Sequence, residues 1–399
     1  MLNPRFQKLA PSPFARLDAL LKGIAPGADP IAMSIGEPQH APPAFVAEVL
    51  NDNAHLLGRY PPVAGTAEFR EAAAAWLTRR YGLPAGMIEP ETHITSLSGT
   101  REGLFMMPQV VVPELRGSRP PAVLIPDPFY HTYAGAVVAA GAEPVYLPCH
   151  RENGFLPDLD LAPGLLERCA AFYLCTPANP HGAAAGMDYL EKLIGLARQH
   201  DFVLLADECY TEIYTGIAPA GVLQACARMG GDLASVVAFH SLSKRSNVPG
   251  LRSGFAVGDA ALMEAFIGLR RYGSAAASLP VLAAAAALWR DDAHVEGNRA
   301  LYREKFDAAE RIIGNRFGFY RPDGGFFLWL DVGGGETAAR ALWAGAGVRV
   351  LPGGYLSGAA NGEANPAAPY IRVALVHDTA TVERALHAMT EVLPQAGAP

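Results

Sequence analysis

Short apolar runs recur along the middle of the chain, at residues 94–97, 123–125, 145–147, 171–175, 202–206, 236–239 and 255–257. Their apolarity is continuous rather than alternating, so each reads as a strand buried on both faces, which predicts a mostly parallel sheet covered by helices. The intervening segments fit that reading. Residues 188–199 carry Leu190, Leu193, Ile194 and Ala197 at helical spacing, and residues 68–80 and 292–313 are patterned in the same way. After about residue 318 the pattern changes to alternating segments, 326–330 and 370–374, separated by Gly-rich turns. The expected fold is therefore α/β: a large domain with a mostly parallel central sheet, and a smaller α+β domain. The predicted boundaries are an N-terminal arm contributing to the small domain (1–45), the large domain (46–285) and the C-terminal small domain (286–399).

Composition narrows what such a fold could serve. Of 399 residues half are apolar and 18% charged, the formal net charge is −7, and no basic block could neutralise a run of phosphates. Nucleic acid is an unexpected partner on these grounds. The five cysteines form no C-x-x-C pair and stand near no histidine cluster, so neither a disulfide framework nor a metal site is expected, which suits a reducing cytoplasm. The amino terminus shows no apolar core of a signal peptide. Residues 272–289 are uncharged, but Gly273, Ser274, Ser278 and Pro280 would transfer poorly into hydrocarbon, so a buried helix is expected there rather than a membrane span.

In open α/β sheets ligands bind beyond the carboxyl ends of the strands. Those ends read Ser98-Gly99-Thr100, Asp127-Pro128-Phe129-Tyr130, Thr176-Pro177-Ala178-Asn179-Pro180, Asp207-Glu208-Cys209-Tyr210 and His240-Ser241-Leu242-Ser243-Lys244. A small-residue turn ahead of a helix, as at Ser98-Gly99-Thr100, can hold a phosphate; it can equally be a plain turn and cap. Asp207 after an apolar strand needs a cationic partner or a capping role, and Lys244 could be an ordinary solvated lysine. Ser241-x-x-Lys244 also matches the nucleophile motif of penicillin-recognising serine hydrolases, yet neither S-D-N nor K-T-G occurs. Dinucleotide-binding, nucleotide-triphosphate and H-E-x-x-H metallopeptidase motifs are missing too.

Taken jointly, the chain resembles the fold-type I, pyridoxal-phosphate-dependent aminotransferases of class I/II. The resemblance is carried, in sequence order, by Ser34-Ile35-Gly36-Glu37-Pro38, Tyr60-Pro61-Pro62 with Gly65, Ser98-Gly99-Thr100, Pro128-x-Tyr130, Asn179-Pro180, Asp207-x-x-Tyr210, Ser241-x-x-Lys244, Arg252 and Arg372. It implies pyridoxal 5'-phosphate as cofactor, amino acids and 2-oxo acids as substrates, and a homodimer. By the same resemblance Lys244 bonds the cofactor aldehyde and serves as the proton-transferring base. Asp207 pairs with the ring nitrogen, Asn179 and Tyr210 face the ring's phenolic oxygen, and Tyr130 stacks on the ring. Ser98, Gly99, Thr100, Ser241 and Arg252 surround the phosphate, and Tyr60 reaches the phosphate of the neighbouring subunit. Arg372 holds the substrate α-carboxylate beside Gly36 and Asn179, while Arg101, Arg270 and Arg271 are candidates for its far end.

Within the family, several segments are similar to the proteobacterial succinyldiaminopimelate transaminases of lysine biosynthesis. They include the amino-terminal stretch 9–23, Ser34 to His40, Gly99 to Phe105, Ser241 to Gly254, and His294-Val295 through Asn298-Arg299 to Tyr302-Arg303. Aspartate, alanine and aromatic aminotransferases share the cofactor residues, as do related lyases and synthases.

Overall fold

The computed structural model describes residues 3–358 and 365–394. A seven-stranded sheet is built from β1 (Ile94–Leu97), β2 (Ala122–Asp127), β3 (Glu143–Pro148), β4 (Cys169–Cys175), β5 (Val203–Asp207), β6 (Val236–Ser241) and β7 (Gly254–Gly258). Their spatial order is β1-β7-β6-β5-β4-β2-β3. β2 to β6 pair in parallel, whereas β7 runs antiparallel to both of its neighbours. β1, β2, β4, β6 and β7 are buried along their whole length, as continuous apolar runs require; β3, at the edge, is not.

Helices cover both faces. Ala67–Tyr81 begins where the Thr66 side chain accepts from the Phe69 N–H and ends at Gly82 in the left-handed conformation. Met187–Gln199 buries the four apolar residues read from the sequence. One core layer contains Trp76, Phe172, Phe255 and Trp289, the other Tyr133, Tyr173, Val237 and Phe239.

The uncharged stretch 272–289 is not one helix. Ala260–Gly273 ends with Tyr272 exposed, the chain runs extended, and Leu279–Arg290 starts afresh, burying Leu282, Leu288 and Trp289. Pro280 lies in the first turn, where a missing N–H costs nothing. Among the described residues no helix is long and apolar enough to cross a membrane.

A second sheet pairs Leu351–Pro352, Tyr370–Ala374 and Phe327–Asp331 antiparallel, in that order. Helices Ala293–Ile313, Gly335–Ala346 and Thr379–Val392 contribute to its core. The amino-terminal residues join this part: Ile31–Ala32 pairs with Val348–Arg349, and Leu17 and Leu21 pack with Trp329 and Leu351. The chain leaving Ala32 therefore passes directly into the cleft between the two sheets.

Candidate active site

The parallel strands deliver the ends of β1, β2, β4, β5 and β6 to one edge, and the reversed β7 brings the residues that precede it to the same edge. Here a cavity of about 310 Å³ is lined by Gly36, Thr100, Arg101, Tyr130, Asn179, Asp207, Tyr210, Ser241, Lys244, Arg252 and Arg372, among others. Of the residues read from the sequence, Ser98, Gly99 and Tyr60 do not line it. Ser98 turns its hydroxyl to the Ala275 carbonyl at 2.6 Å. Gly99 sits behind Arg252, with φ +82°, and a Cβ there would collide with the guanidinium; its contribution is to leave room for Arg252. Tyr60 is fully exposed in the single chain.

Lys244 Nζ donates to the Gly36 carbonyl at 2.5 Å. Burial, offset in part by Cys209 and reinforced by Arg372, pushes its amine down to about 8. Ser241 Oγ instead accepts from the Ser243 N–H at 3.2 Å, so the serine–lysine contact that a hydrolase mechanism needs is not made. Asp207 is the last residue of β5 rather than the residue after it. Burial raises its carboxyl pKa, and hydrogen bonds from Cys209 and Tyr133 work against that shift. Tyr133 Oη donates to Asp207 Oδ2 at 2.6 Å, and the nearby Lys244 charge adds a smaller pull toward the ionised form.

Arg372 is almost fully buried. Its Nη1 donates to Asn179 Oδ1 at 2.8 Å, its Nη2 to the Ser34 carbonyl at 2.7 Å, and its Nε has no partner among the described residues. Phe327 lies under the guanidinium at 4.3 Å, and the same ring leaves no room for a side chain at Gly36. Burial lowers the Arg372 pKa to about 10, which leaves it charged at neutral pH. At the mouth, Arg101 Nε donates to Tyr130 Oη at 2.7 Å. Arg270 is elsewhere. It is wholly buried against Glu102 (3.0 Å), Thr95 Oγ1 and the Val63 carbonyl, and Arg271 points outward from the same helix. Arg270 is closed off from any substrate, and Arg271 does not line this cavity.

The sequence reading missed Tyr133, Cys209 and Phe327. Tyr133 and Phe327 carried only the signal of core aromatics, and a cysteine between Asp207 and Tyr210 gave no hint that its sulfur lies 3.1 Å from Thr100 Oγ1.

These groups fit pyridoxal 5'-phosphate. Lys244 offers an amine to an aldehyde, and Asp207 is a buried carboxylate at the end of β5 in the same cavity. Arg252, with the hydroxyls of Thr100, Ser241 and Ser243, could hold a phosphate on one side of the same cavity. Fold and cavity together define a pyridoxal-phosphate-dependent transferase. The profile of "Aminotransferase class I and II" matches residues 28–389, and the chain belongs to that family. It is 31% identical to LL-diaminopimelate aminotransferase 2 of Trichormus variabilis, covering 98% of both chains. With the LL-diaminopimelate aminotransferase of Desulforudis audaxviator it shares 33% identity over 88% of this chain and 89% of the relative. An aminotransferase structure from Neisseria meningitidis superposes with a TM-score of 0.93 at 37% identity, covering 98% of this chain and 100% of that one.

Proposed function

We propose that the chain transfers an amino group between N-succinyl-LL-2,6-diaminopimelate and 2-oxoglutarate, in the cytoplasmic synthesis of diaminopimelate and lysine. One observation carries the choice of a long, multiply acidic substrate. Beside the cavity, and sharing Pro13, Arg101 and His131 with it, opens a second chamber of about 890 Å³ that Arg5 and Arg16 also line. Arg372 can answer only the α-carboxylate; a chamber with further cations suits additional carboxylates several bonds away. The second reading is the unacylated LL-diaminopimelate, which the names of the relatives favour.

When bound, pyridoxal 5'-phosphate supplies an electrophilic aldehyde and an electron-withdrawing ring. Lys244 supplies the amine, and an amine titrating near 8 is part neutral at physiological pH, so Nζ can take up the α-proton and give it back. Asp207, oriented by Tyr133, would keep a proton on the ring nitrogen. Asn179 braces Arg372 and, with Tyr210, would hydrogen-bond the ring's phenolic oxygen. Tyr60 of one subunit completes the neighbouring site, which makes a homodimer the working unit.

The test compares kcat/KM for N-succinyl-diaminopimelate with free diaminopimelate, aspartate, alanine and phenylalanine. A clearly higher value for any unsuccinylated amino acid would remove the succinyl reading and leave the aminotransferase class standing. Borohydride reduction of the loaded protein should leave a pyridoxyl group on Lys244; a label on another lysine would overturn the assignment of the site.

A further inference from the structure

The helix Ala293–Ile313 carries Asn298, 5% exposed, into the back of the turn that bears Lys244. An asparagine is a poor helix former because its side chain competes for backbone bonds. Here the amide uses every valence it has. Its Nδ2 donates to the carbonyls of Lys244 and Arg245, both at 3.3 Å. Its Oδ1 stands 2.9 Å from Asn247 Nδ2 and 2.9 Å from His40 Nδ1.

One proton arrangement satisfies this set with His40 neutral and Lys305 charged. Because Asn298 Oδ1 accepts, His40 must carry its proton on Nδ1, which leaves Nε2 as an acceptor. Lys305 Nζ, as an ammonium, donates to that Nε2 at 2.5 Å and to the Leu375 carbonyl at 3.1 Å. Burial lowers the His40 pKa, keeping the ring neutral as the arrangement needs.

The bonds join three parts of the site. His40 is four residues beyond Gly36, whose carbonyl receives Lys244 Nζ. Leu375 directly follows the strand that carries Arg372. One buried amide thus ties the main chain of Lys244 to the segment that supplies its amine's acceptor, and through His40 and Lys305 to the strand of the carboxylate-binding arginine.

We propose that Asn298, with His40 and Lys305, is a positioning strut that holds the Lys244 main chain fixed, so that only the side chain moves as its amine passes between its bonding partners. The inference rests on the role assigned to Lys244 above. It deepens that role by naming what sets the reach and direction of the amine.

The experiment uses cofactor-free full-length protein and two variants, Asn298→Asp and His40→Phe. The first turns a carboxylate oxygen toward two carbonyls; the second removes the bond to Oδ1 while keeping a ring against Tyr302, which His40 contacts at 4.8 Å between ring centres. Two quantities are read: the rate at which added pyridoxal phosphate becomes borohydride-fixed on Lys244, and the pH midpoint for acylation of Lys244 without cofactor. Asn298→Asp should slow capture about ten-fold or more, the scale of a lost hydrogen bond, and should shift the midpoint; His40→Phe should give a smaller loss in the same direction. A role in folding alone would lower the melting temperature and leave both readings unchanged. A variant of either kind that melts cooperatively and keeps wild-type capture and midpoint overturns the strut. If wild type is labelled on a different lysine, the assignment of Lys244 fails instead.

Discussion

Exchanging Arg372 for lysine keeps the positive charge and removes the planar fork, so it isolates geometry from electrostatics. The native guanidinium spends one donor on Asn179 Oδ1 at 2.8 Å and one on the Ser34 carbonyl at 2.7 Å. That leaves Nε and the second hydrogen of each terminal nitrogen for a carboxylate arriving from the cavity. Nε is buried without a partner among the described residues, a state that a bound carboxylate would relieve. An ammonium has three donors and cannot offer two parallel bonds while bracing both Asn179 and Ser34. The loss is at least one charge-assisted hydrogen bond plus a stranded buried acceptor, together about 2–5 kcal/mol in kcat/KM. At ~1.4 kcal/mol per factor of ten, that is roughly thirty- to several thousand-fold. Single-turnover kinetics should be measured on the preferred amino acid and on the matching amine that lacks the α-carboxyl group. The amino acid should lose the full factor and the amine little. Equal losses for both, or a loss under about three-fold for the amino acid, would refute the carboxylate role.

Tyr133→Phe removes the 2.6 Å donor from Asp207, whose pKa burial already raises. With the folded value above the unfolded one, the folded state holds the proton more tightly, and stability falls as pH rises through that window. The variant should therefore cost about 1–3 kcal/mol once Asp207 is ionised and less while it is protonated; urea unfolding of cofactor-free protein followed across a pH series reads the difference, and a loss independent of pH would contradict the argument. Glu102→Gln should destabilise by about 3 kcal/mol, because it leaves the wholly buried Arg270 without its anion; an unfolding change below about 1 kcal/mol would count against that pairing. Mixing inactive Tyr60→Ala with inactive Lys244→Ala should restore activity through hybrid sites, and silence after verified subunit exchange would argue against a shared site.

The strands and the polar ends they deliver were legible because an unbroken apolar run has no face to turn toward water, and a run too short for a helix can bury both faces only as an inner strand. β1 to β7 follow those runs to within two residues at either end. The reversal of β7 was not legible, since a buried antiparallel strand carries the same residues as a parallel one. The break within 272–289 was written in Ser278 and Pro280, yet uncharged composition alone suggests a single helix. Arg270 shows the limit of reading charge from sequence. Nothing in its neighbours along the chain sets it apart from Arg101, and only burial against Glu102 distinguishes a structural cation from one that can meet a ligand. Tyr133 was invisible for the opposite reason: its ring packs like any core aromatic, stacked on Tyr173 at 4.4 Å, and only its hydroxyl reaches the site.

The reversed strand also sets a length. Had β7 run with its neighbours, its five residues would have carried Arg252 to the opposite edge, roughly 16 Å away. Because it turns back, residues 245–251 become a short tether between an amine and a guanidinium, the two cations proposed to hold an aldehyde and a phosphate arm that stand on neighbouring carbons of one small ring. The covalent chain caps the gap between them, and the bonds from Asn298 behind Lys244 and the bare Gly99 beside Arg252 set it within that cap. An extra residue in that tether could leave β6 and β7 fully paired and the core undisturbed, while changing where the guanidinium is presented to the phosphate.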